Sequence, residues 1–140
     1  RAAPPAHLFV AARRAPSVPL RHRPLHRLDD DRLVEEVVAL DGMPPAVLAE
    51  SELVAATLPV IRADLAVAEA TPYRPEPPLD CPIAVFAGRD DRIGEEDLAA
   101  WTAETTAGFS LTMYDGGHFF LTEARPAMLA AFAAHLFPAG

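Results

Sequence analysis

The chain has 140 residues and a formal charge of −8. This length allows one compact domain, which buries about two thirds of the surface that the unfolded chain exposes. The acidic balance disfavours a nucleic-acid-binding protein, because such proteins neutralise phosphates with clustered basic side chains.

Cysteine content and hydropathy narrow the class of protein further. The single cysteine, Cys81, excludes an internal disulfide and a cysteine-clustered zinc site. No apolar run approaches the roughly 18 residues of a membrane span, and no signal peptide is recognisable. We therefore expect a soluble, cytoplasmic protein that does not act on membranes. Because the first residue is Arg1 and not Met, we also expect a piece of a longer protein.

The first half of the chain begins with a short apolar run and then becomes proline-rich and helical. The run "HLFV" at 7–10 predicts a buried strand. The aspartates at 29–31 can cap free amide groups and predict the start of a helix. Its expected inward residues are Leu33, Val34, Val37 and Val38.

A second helix is predicted after Ser51, which suits a helix cap. Pro59 should kink this helix, because proline removes a backbone donor and collides with the preceding turn. The residues expected to face inward are Leu53, Thr57, Val60, Ile61 and Leu65.

The last part, about 80–138, alternates strands and helices. "CPIAVFAG" predicts a buried strand ending at Gly88, and "FSLTMY" predicts the next strand. Between them a helix is predicted over 95–107, closed by Gly108. Its shared face comprises Leu98, Trp101 and Thr105.

A final helix should start near Pro126, since proline is tolerated in a first turn. Its expected apolar face comprises Leu129, Phe132, Ala133, Leu136 and Phe137. Strand, helix, strand, helix with short connections predicts an α/β fold with parallel neighbouring strands.

Each of the two strands predicted in this part is followed by residues whose side chains can take part in catalysis. The first is followed by Asp90 and Asp91, and the second by Asp115 and His118. Reactive side chains of parallel sheets gather at the carboxyl ends of the strands, where an aspartate can orient an imidazole. The alternative is that His118 is an ordinary loop histidine. The glycines at 116–117 favour a catalytic role for His118, because they allow the backbone to approach a crowded site closely.

Several other residues that could suggest a catalytic or binding site are more simply explained by their place in the fold. We expect Phe119 and Phe120 to be buried beneath the histidine loop. His22 and His26 lie near the aspartates at 29–31, but without the register of a metal-ligand pair. His7 suits a strand edge and His135 a helix surface. One basic stretch contains Arg13, Arg14, Arg21, Arg23 and Arg27, which either dock an acidic partner or are solvated loop charges.

Three stretches in this order resemble a known family. "PLDCPIAVFAGRDDRI", "AAWTAET" and "FSLTMYDGGHFFL" are similar to the carboxyl-terminal part of type II thioesterases, α/β-hydrolases that edit polyketide and nonribosomal peptide assembly lines. "HLFVAARRAP" resembles the strand and loop after that family's nucleophile helix. "HRLDDDRLVEEVVALDGMP" and "LPVIRADLAVAEATPYRP" resemble its helical lid, so the likeness covers nearly all of residues 1–140.

The resemblance implies a single partial α/β-hydrolase domain with a lid inserted at about 32–72. The family's G-x-x-D acid falls on Asp91 through Gly88, with Asp90 as the near miss, and its general base falls on His118. The implied substrate is an acyl thioester on the phosphopantetheine of an acyl or peptidyl carrier protein. No cofactor or metal is implied.

The departure from the family concerns the nucleophile. No G-x-S-x-G elbow occurs, and none of Ser17, Ser51 and Ser110 lies in such a turn. Cys81 precedes the strand that Asp91 follows, so it should lie roughly 20 Å away, beyond the reach of His118. The missing amino-terminal half of the fold is therefore an expected partner, and the chain by itself should be inactive. The alternatives are a non-catalytic module that binds a carrier protein or partner chain, and another α/β-hydrolase esterase.

Overall fold

Three parallel strands form one sheet in the order β1-β2-β3 in a computed structural model, which describes residues 5–70 and 72–137. They are β1 (Leu8–Ala11), β2 (Ile83–Gly88) and β3 (Phe109–Tyr114). Each corresponds to a predicted strand, and the parallel pairing and the α/β class are confirmed. Because all three strands run in one direction, their carboxyl ends lie at the same edge of the sheet.

The central strand β2 is buried at every position, as expected for a parallel strand covered on both faces. Its side chains alternate between two separate apolar clusters. Ile83, Val85 and Ala87 pack with Leu98 on one face, whereas Ala84 and Phe86 pack with Phe120 and Met128 on the other. Helical segments therefore cover both faces of this sheet.

The helix between β2 and β3 is shorter than predicted. Helix α4 (Glu95–Ala99) continues as a 3-10 helix (Ala100–Glu104) and ends there, not at residue 107. Thr105 is extended and pairs with Leu79, and its hydroxyl donates to the Cys81 carbonyl at 2.7 Å. This pairing uses backbone groups that a longer helix would need.

After a 3-10 turn (Phe120–Thr122), the last helix, α5 (Arg125–Leu136), has Pro126 in its first turn as predicted. Its predicted apolar face is partly wrong, because Leu129, Leu136 and Phe137 are exposed. Met128 is the buried residue instead, and Phe132 packs its ring 4.5 Å from that of Phe9. Residue 138, where the predicted segment ends, lies outside the described residues.

His7 and His135 are packed together, although the sequence suggested an edge and a surface position. Their ring centroids are 4.7 Å apart, and the His7 ring also stacks on Phe9. Burial, with a smaller contribution from neighbouring His135, lowers the pKa of His7. A neutral imidazole therefore suits this aromatic cluster.

The chain divides into two compact units. The sheet unit comprises the described residues up to Val18 and from Pro75 onward, and the helical unit is Pro19–Arg74. The helical unit contains a 3-10 helix (Leu25–Arg27), α1 (Asp30–Ala39), α2 (Pro45–Leu48) and α3 (Ser51–Ala70). The single-domain assignment with a lid at 32–72 stays a prediction.

The core of the helical unit combines residues of α1, α3 and the connection between them, namely Leu33, Val37, Met43 and Leu58. Asp29 caps α1 as expected, accepting from the Arg32 amide at 3.0 Å. Helix α3 runs through Pro59. Among residues 5–70 and 72–137, no helix has both the length and the apolar character that crossing a bilayer requires.

The predicted inward faces of these helices are only partly right. Val38 of α1 and Leu53 and Val60 of α3 are exposed. The face of α3 that packs inward contains Val54, Leu58, Ile61 and Leu65. Most sides of α3 carry apolar residues of its own, so the periodicity of the sequence did not distinguish the buried side of the helix from the exposed side.

Candidate active site

The histidine and one aspartate of the sheet unit meet at the carboxyl edge of the sheet. Asp91 lies three residues after β2, and His118 lies four residues after β3. The His118 Nδ1 atom is 2.9 Å from the Asp91 Oδ2 atom. The Asp91 side chain is 1% exposed and that of His118 is 30% exposed, so the carboxylate is sequestered while part of the imidazole stays open.

Backbone hydrogen bonds hold the two loops against each other. The Arg89 amide donates to the Tyr114 carbonyl at 2.8 Å, and the Asp90 amide donates to the Gly116 carbonyl at 3.0 Å. Gly116 has φ +109, a conformation that favours glycine, as the sequence predicted for this loop. The loop that carries His118 is thus fixed to the loop that carries Asp91.

Gly88 makes this close approach possible. A Cβ atom at Gly88 would lie 2.2 Å from the Gly117 carbonyl oxygen and 2.3 Å from that of Gly116. Both are backbone atoms, so no side-chain rotation could relieve the clash. The sequence marked Gly88 as the end of a strand and as the glycine of the G-x-x-D pattern, and the contact with the facing loop is a tertiary feature.

Of the neighbouring carboxylates, only Asp91 bonds to His118 among the described residues. The exposed Asp90 uses its backbone amide to hold the loop. Asp115 is fully exposed and lies 3.6 Å from the Arg89 guanidinium. The second oxygen of Asp91 is within 3.4 Å of the Ile93 amide, which helps to orient the carboxylate.

The two phenylalanines after His118 differ in their surroundings. Phe120 is buried, as expected, and its ring stacks on Tyr114 with centroids 5.6 Å apart. The expectation that Phe119 is buried is wrong, because it is 48% exposed. Its ring stands perpendicular to the His118 imidazole at 5.1 Å, where it limits the rotation of that ring.

This geometry defines what the imidazole can do chemically. A carboxylate only accepts hydrogen bonds, so His118 donates through its Nδ1–H group. In the neutral ring the proton then resides on Nδ1, which leaves the Nε2 lone pair free to accept a proton. The pair can therefore act as an oriented general base.

The other candidate nucleophiles and ligands do not join this pair. Cys81 is buried just before β2, and Ser110 lies in β3 near its start, both at the opposite end of the sheet from His118. His26 belongs to the helical unit, where its Nδ1 atom is 2.7 Å from Glu69. Among residues 5–70 and 72–137, no three His, Cys, Asp or Glu side chains cluster as a metal site would require.

Comparison with known proteins gives consistent matches. The family model described as "Thioesterase domain" matches residues 1–136. The gramicidin S biosynthesis protein GrsT of Aneurinibacillus migulanus is 38% identical over 126 residues, covering 89% of this chain and 49% of GrsT. Thioesterase PikA5 of Streptomyces venezuelae is 38% identical over 120 residues, covering 85% of this chain and 42% of PikA5.

Solved structures agree with these relatives. RedJ, a thioesterase of the prodiginine pathway of Streptomyces coelicolor, superimposes with a TM-score of 0.86 at 36% identity. The match covers 94% of this chain and 52% of RedJ. The type II thioesterase BorB of the borrelidin cluster gives 0.82 at 42% identity, covering 94% of this chain and 54% of BorB. The chain thus spans about half the length of the relatives it matches.

Proposed function

This chain belongs to the thioesterase domain family, and on that premise we propose that Asp91 and His118 are the acid and base of a Ser-His-Asp triad that hydrolyses acyl thioesters. The observation that carries the proposal is the 2.9 Å hydrogen bond between the Asp91 carboxylate and His118 Nδ1. In such a triad the aspartate holds the tautomer and stabilises the imidazolium that forms during the reaction.

In this mechanism His118 Nε2 takes the proton of a serine hydroxyl while the serine oxygen attacks the thioester carbonyl. The carbon–sulfur bond then breaks, the thiol leaves with the proton from His118, and an acyl-serine remains. In the second half His118 removes a proton from water, which attacks the acyl-serine; the bond between the acyl carbon and the serine oxygen breaks, His118 returns the proton to that oxygen, and a carboxylic acid is released. The exposed part of the His118 ring supports this role, because the proton must reach the reacting groups.

The serine is the part that these 140 residues do not provide. They contain no G-x-S-x-G elbow, and they correspond to about half of each thioesterase compared above. We propose that the nucleophile and the oxyanion donors belong to another part of the same fold. The 140 residues by themselves are then inactive.

We propose that the acyl group is presented on the phosphopantetheine of an acyl or peptidyl carrier protein. The support is the similarity to proteins named for gramicidin S biosynthesis, the prodiginine pathway and the borrelidin cluster. The arginines at 13, 14, 21, 23 and 27 are candidates for docking an acidic carrier, since charge complementarity accelerates association.

Paired substitutions of adjacent aspartates test the triad. In the full open reading frame that contains residues 1–140, Asp91→Asn should reduce kcat for an acyl-pantetheine thioester by about 10³- to 10⁴-fold, because the amide stabilises the wrong imidazole tautomer. Asp90→Asn is the matched control and should retain nearly full activity, because its side chain does not bond to His118. Equal losses in both variants, or full activity in Asp91→Asn, would refute the assignment.

The coding DNA upstream of Arg1 separates hydrolysis from the non-catalytic alternative. An in-frame G-x-S-x-G motif would supply the missing nucleophile and remove the reason for a binding-only module. An in-frame stop codon directly upstream would leave binding of a carrier or partner chain as the better description of this chain.

A further inference from the structure

The orientation of the His118 imidazole depends on few contacts. Within residues 5–70 and 72–137, its one side-chain hydrogen bond joins Nδ1 to Asp91 at 2.9 Å. The two preceding residues are glycines, which have no side chain to pack on the ring. The torsion that joins a histidine ring to its Cβ atom has broad, roughly two-fold preferences. Because 30% of this side chain is exposed, the ring has room to turn unless a further contact holds it.

Phe119 makes such a contact with the ring. The centroids of the two rings are 5.1 Å apart, and their planes meet at 85°. Aromatic pairs prefer this edge-to-face arrangement to a face-to-face stack. In the part of the chain that the structure describes, no second aromatic ring contacts His118. The contact joins neighbouring residues of one loop, so it does not depend on what covers the exposed part of either ring.

Core packing does not account for the position of the Phe119 side chain. The ring is half-exposed and belongs to neither of the apolar clusters of the sheet. The next residue, Phe120, is buried in one of these clusters with Phe86 and Met128. A ring that leaves so much apolar surface in solvent gains less from burial than Phe120 does. The contact with His118 is therefore the distinctive interaction of the Phe119 ring.

The backbone fixes the direction from which Phe119 approaches the imidazole. The Phe120 amide donates to the Gly117 carbonyl at 3.2 Å, and the Thr122 amide donates to the Phe119 carbonyl at 3.1 Å. Phe120 also stacks on Tyr114 of β3, which attaches this turn to the sheet. The Phe119 side chain thus extends from a fixed turn and lies against the His118 ring.

We propose that Phe119 is a positioning residue that keeps the His118 imidazole in the orientation that bonds to Asp91. The edge-to-face contact disfavours rotation of the ring away from the carboxylate, so Nε2 keeps one direction. The catalytic consequence rests on the triad proposed above, whereas the effect on the ring orientation does not. Loss of an edge-to-face contact should shift the orientation equilibrium by about two- to tenfold.

Nitrogen NMR of labelled histidine rings measures this orientation in the 140-residue chain. The His118 signals are those that disappear in His118→Asn. At about pH 8 an unperturbed imidazole is neutral, and the shifts of its two nitrogens report which one carries the proton. In Phe119→Ala we expect the fraction protonated on Nδ1 to fall. Exchange of the Nδ1 proton with water should accelerate by about two- to tenfold, because the bond to Asp91 is broken more often.

Two further variants separate positioning from a general structural role. Phe119→Tyr retains the ring and should restore the His118 signals of the unmodified chain. Phe137→Ala removes a phenylalanine of the same unit that is 79% exposed, and it should leave the His118 signals unchanged. Circular dichroism verifies the folding of each variant. If a variant does not fold as the 140-residue chain, the same signals are measured in the full open reading frame.

Kinetics of the full open reading frame that contains residues 1–140 tests the catalytic consequence. Phe119→Ala should lower kcat for an acyl-pantetheine thioester by about two- to tenfold, because the base is less often correctly oriented. KM should change by less than about twofold, since the substitution does not remove a contact with the substrate.

Two results would overturn the role of Phe119. The first is a set of His118 signals that Phe119→Ala leaves unchanged, or that Phe137→Ala alters equally. The second is a raised KM with unchanged kcat and unchanged His118 signals, which would make Phe119 a substrate contact. If Asp91→Asn abolishes activity but Phe119→Ala has no effect, the triad stands and this inference fails. If Asp91→Asn stays active while Phe119→Ala alters the His118 signals, the triad fails and the positioning of the ring stands.

Discussion

At the scale of single residues, the register of a short loop decides which carboxylate meets the histidine. Asp90 and Asp91 are chemically identical neighbours, yet only Asp91 has its side chain buried against His118. The difference arises because the Asp90 amide is bonded to the Gly116 carbonyl, which fixes the direction of the next side chain. From the sequence, either Asp90 or Asp91 could be the hydrogen-bond partner of His118. The backbone pairing of the two loops shows that the partner is Asp91.

Gly88 provides the sharpest test at this scale. Gly88→Ala would place a methyl group within 2.3 Å of two carbonyl oxygens of the facing loop, so that loop must move away. We expect a loss of about 1 to 3 kcal/mol in the free energy of unfolding, the usual cost of overpacking. Urea unfolding of the chain, followed by circular dichroism, measures this loss.

Gly94→Ala is the matched control for this substitution. No heavy atom lies within 4 Å of a Cβ atom built at Gly94, and its φ of −66 suits any residue. Its effect should stay within about 1 kcal/mol, since the change affects mainly the unfolded chain and one helix cap. A Gly88→Ala chain as stable as Gly94→Ala would contradict the close packing of the two loops.

At the scale of elements, one buried carboxylate joins the two ends of the helical unit's sequence. Glu69, near the end of α3, accepts from the Leu25 amide at 2.9 Å and from the His26 amide at 3.1 Å. It also lies 2.7 Å from His26 Nδ1, and its side chain is 5% exposed. Burial raises the pKa of Glu69, but these hydrogen bonds outweigh burial and lower the pKa overall.

Glu69→Gln should therefore destabilise the helical unit by roughly 1.5 to 3 kcal/mol at pH 7, the range for hydrogen bonds to a charged group. The folded pKa of Glu69 lies below its unfolded value, so this stabilisation is present above about pH 4.5 and is lost as pH falls through the folded pKa. The difference between Glu69→Gln and the unmodified chain should accordingly shrink in acid.

Helix content measured by circular dichroism in urea, at pH 7 and below pH 4, checks this expectation. Glu52→Gln, in the exposed first turn of the same helix, serves as the control and should change stability by about 1 kcal/mol or less, since it alters only the interaction with the helix dipole. A difference for Glu69→Gln that is independent of pH would show that its ionised form is not responsible.

At the scale of the whole molecule, the 140 residues contain the hydrogen-bonded Asp91 and His118 that we propose as acid and base, and they contain no G-x-S-x-G motif. We expect purified residues 1–140 to show no turnover of an acyl-pantetheine thioester, because general base catalysis without a nucleophile and oxyanion donors leaves little rate enhancement. A thiol-release assay, with circular dichroism to confirm folding, measures this. Turnover that His118→Ala abolishes would contradict the expectation and require a nucleophile elsewhere in the chain.

The sequence by itself determined the three strands, the approximate starts of α1, α3, α4 and α5, and the position of His118 in the loop after β3. It did not predict α2 or the short 3-10 helices. Buried parallel strands such as "CPIAVFAG" are continuous apolar runs, and helix starts at Asp29 and Pro126 depend on local hydrogen bonding and backbone geometry. These are short-range properties, so short stretches of sequence contain them.

The tertiary structure alone decided which faces of α3 and α5 are buried and which aspartate bonds to His118. It also decided where the 3-10 helix that continues α4 ends. Helices that are apolar on most sides, such as α3, offer no contrast from which periodicity could identify the buried face. Thr105 ends its helix because it pairs with Leu79, 26 residues earlier. Gly88 and the loop at 116–117 meet only after β2 and β3 have paired, and that contact sets the hydrogen bond between Asp91 and His118.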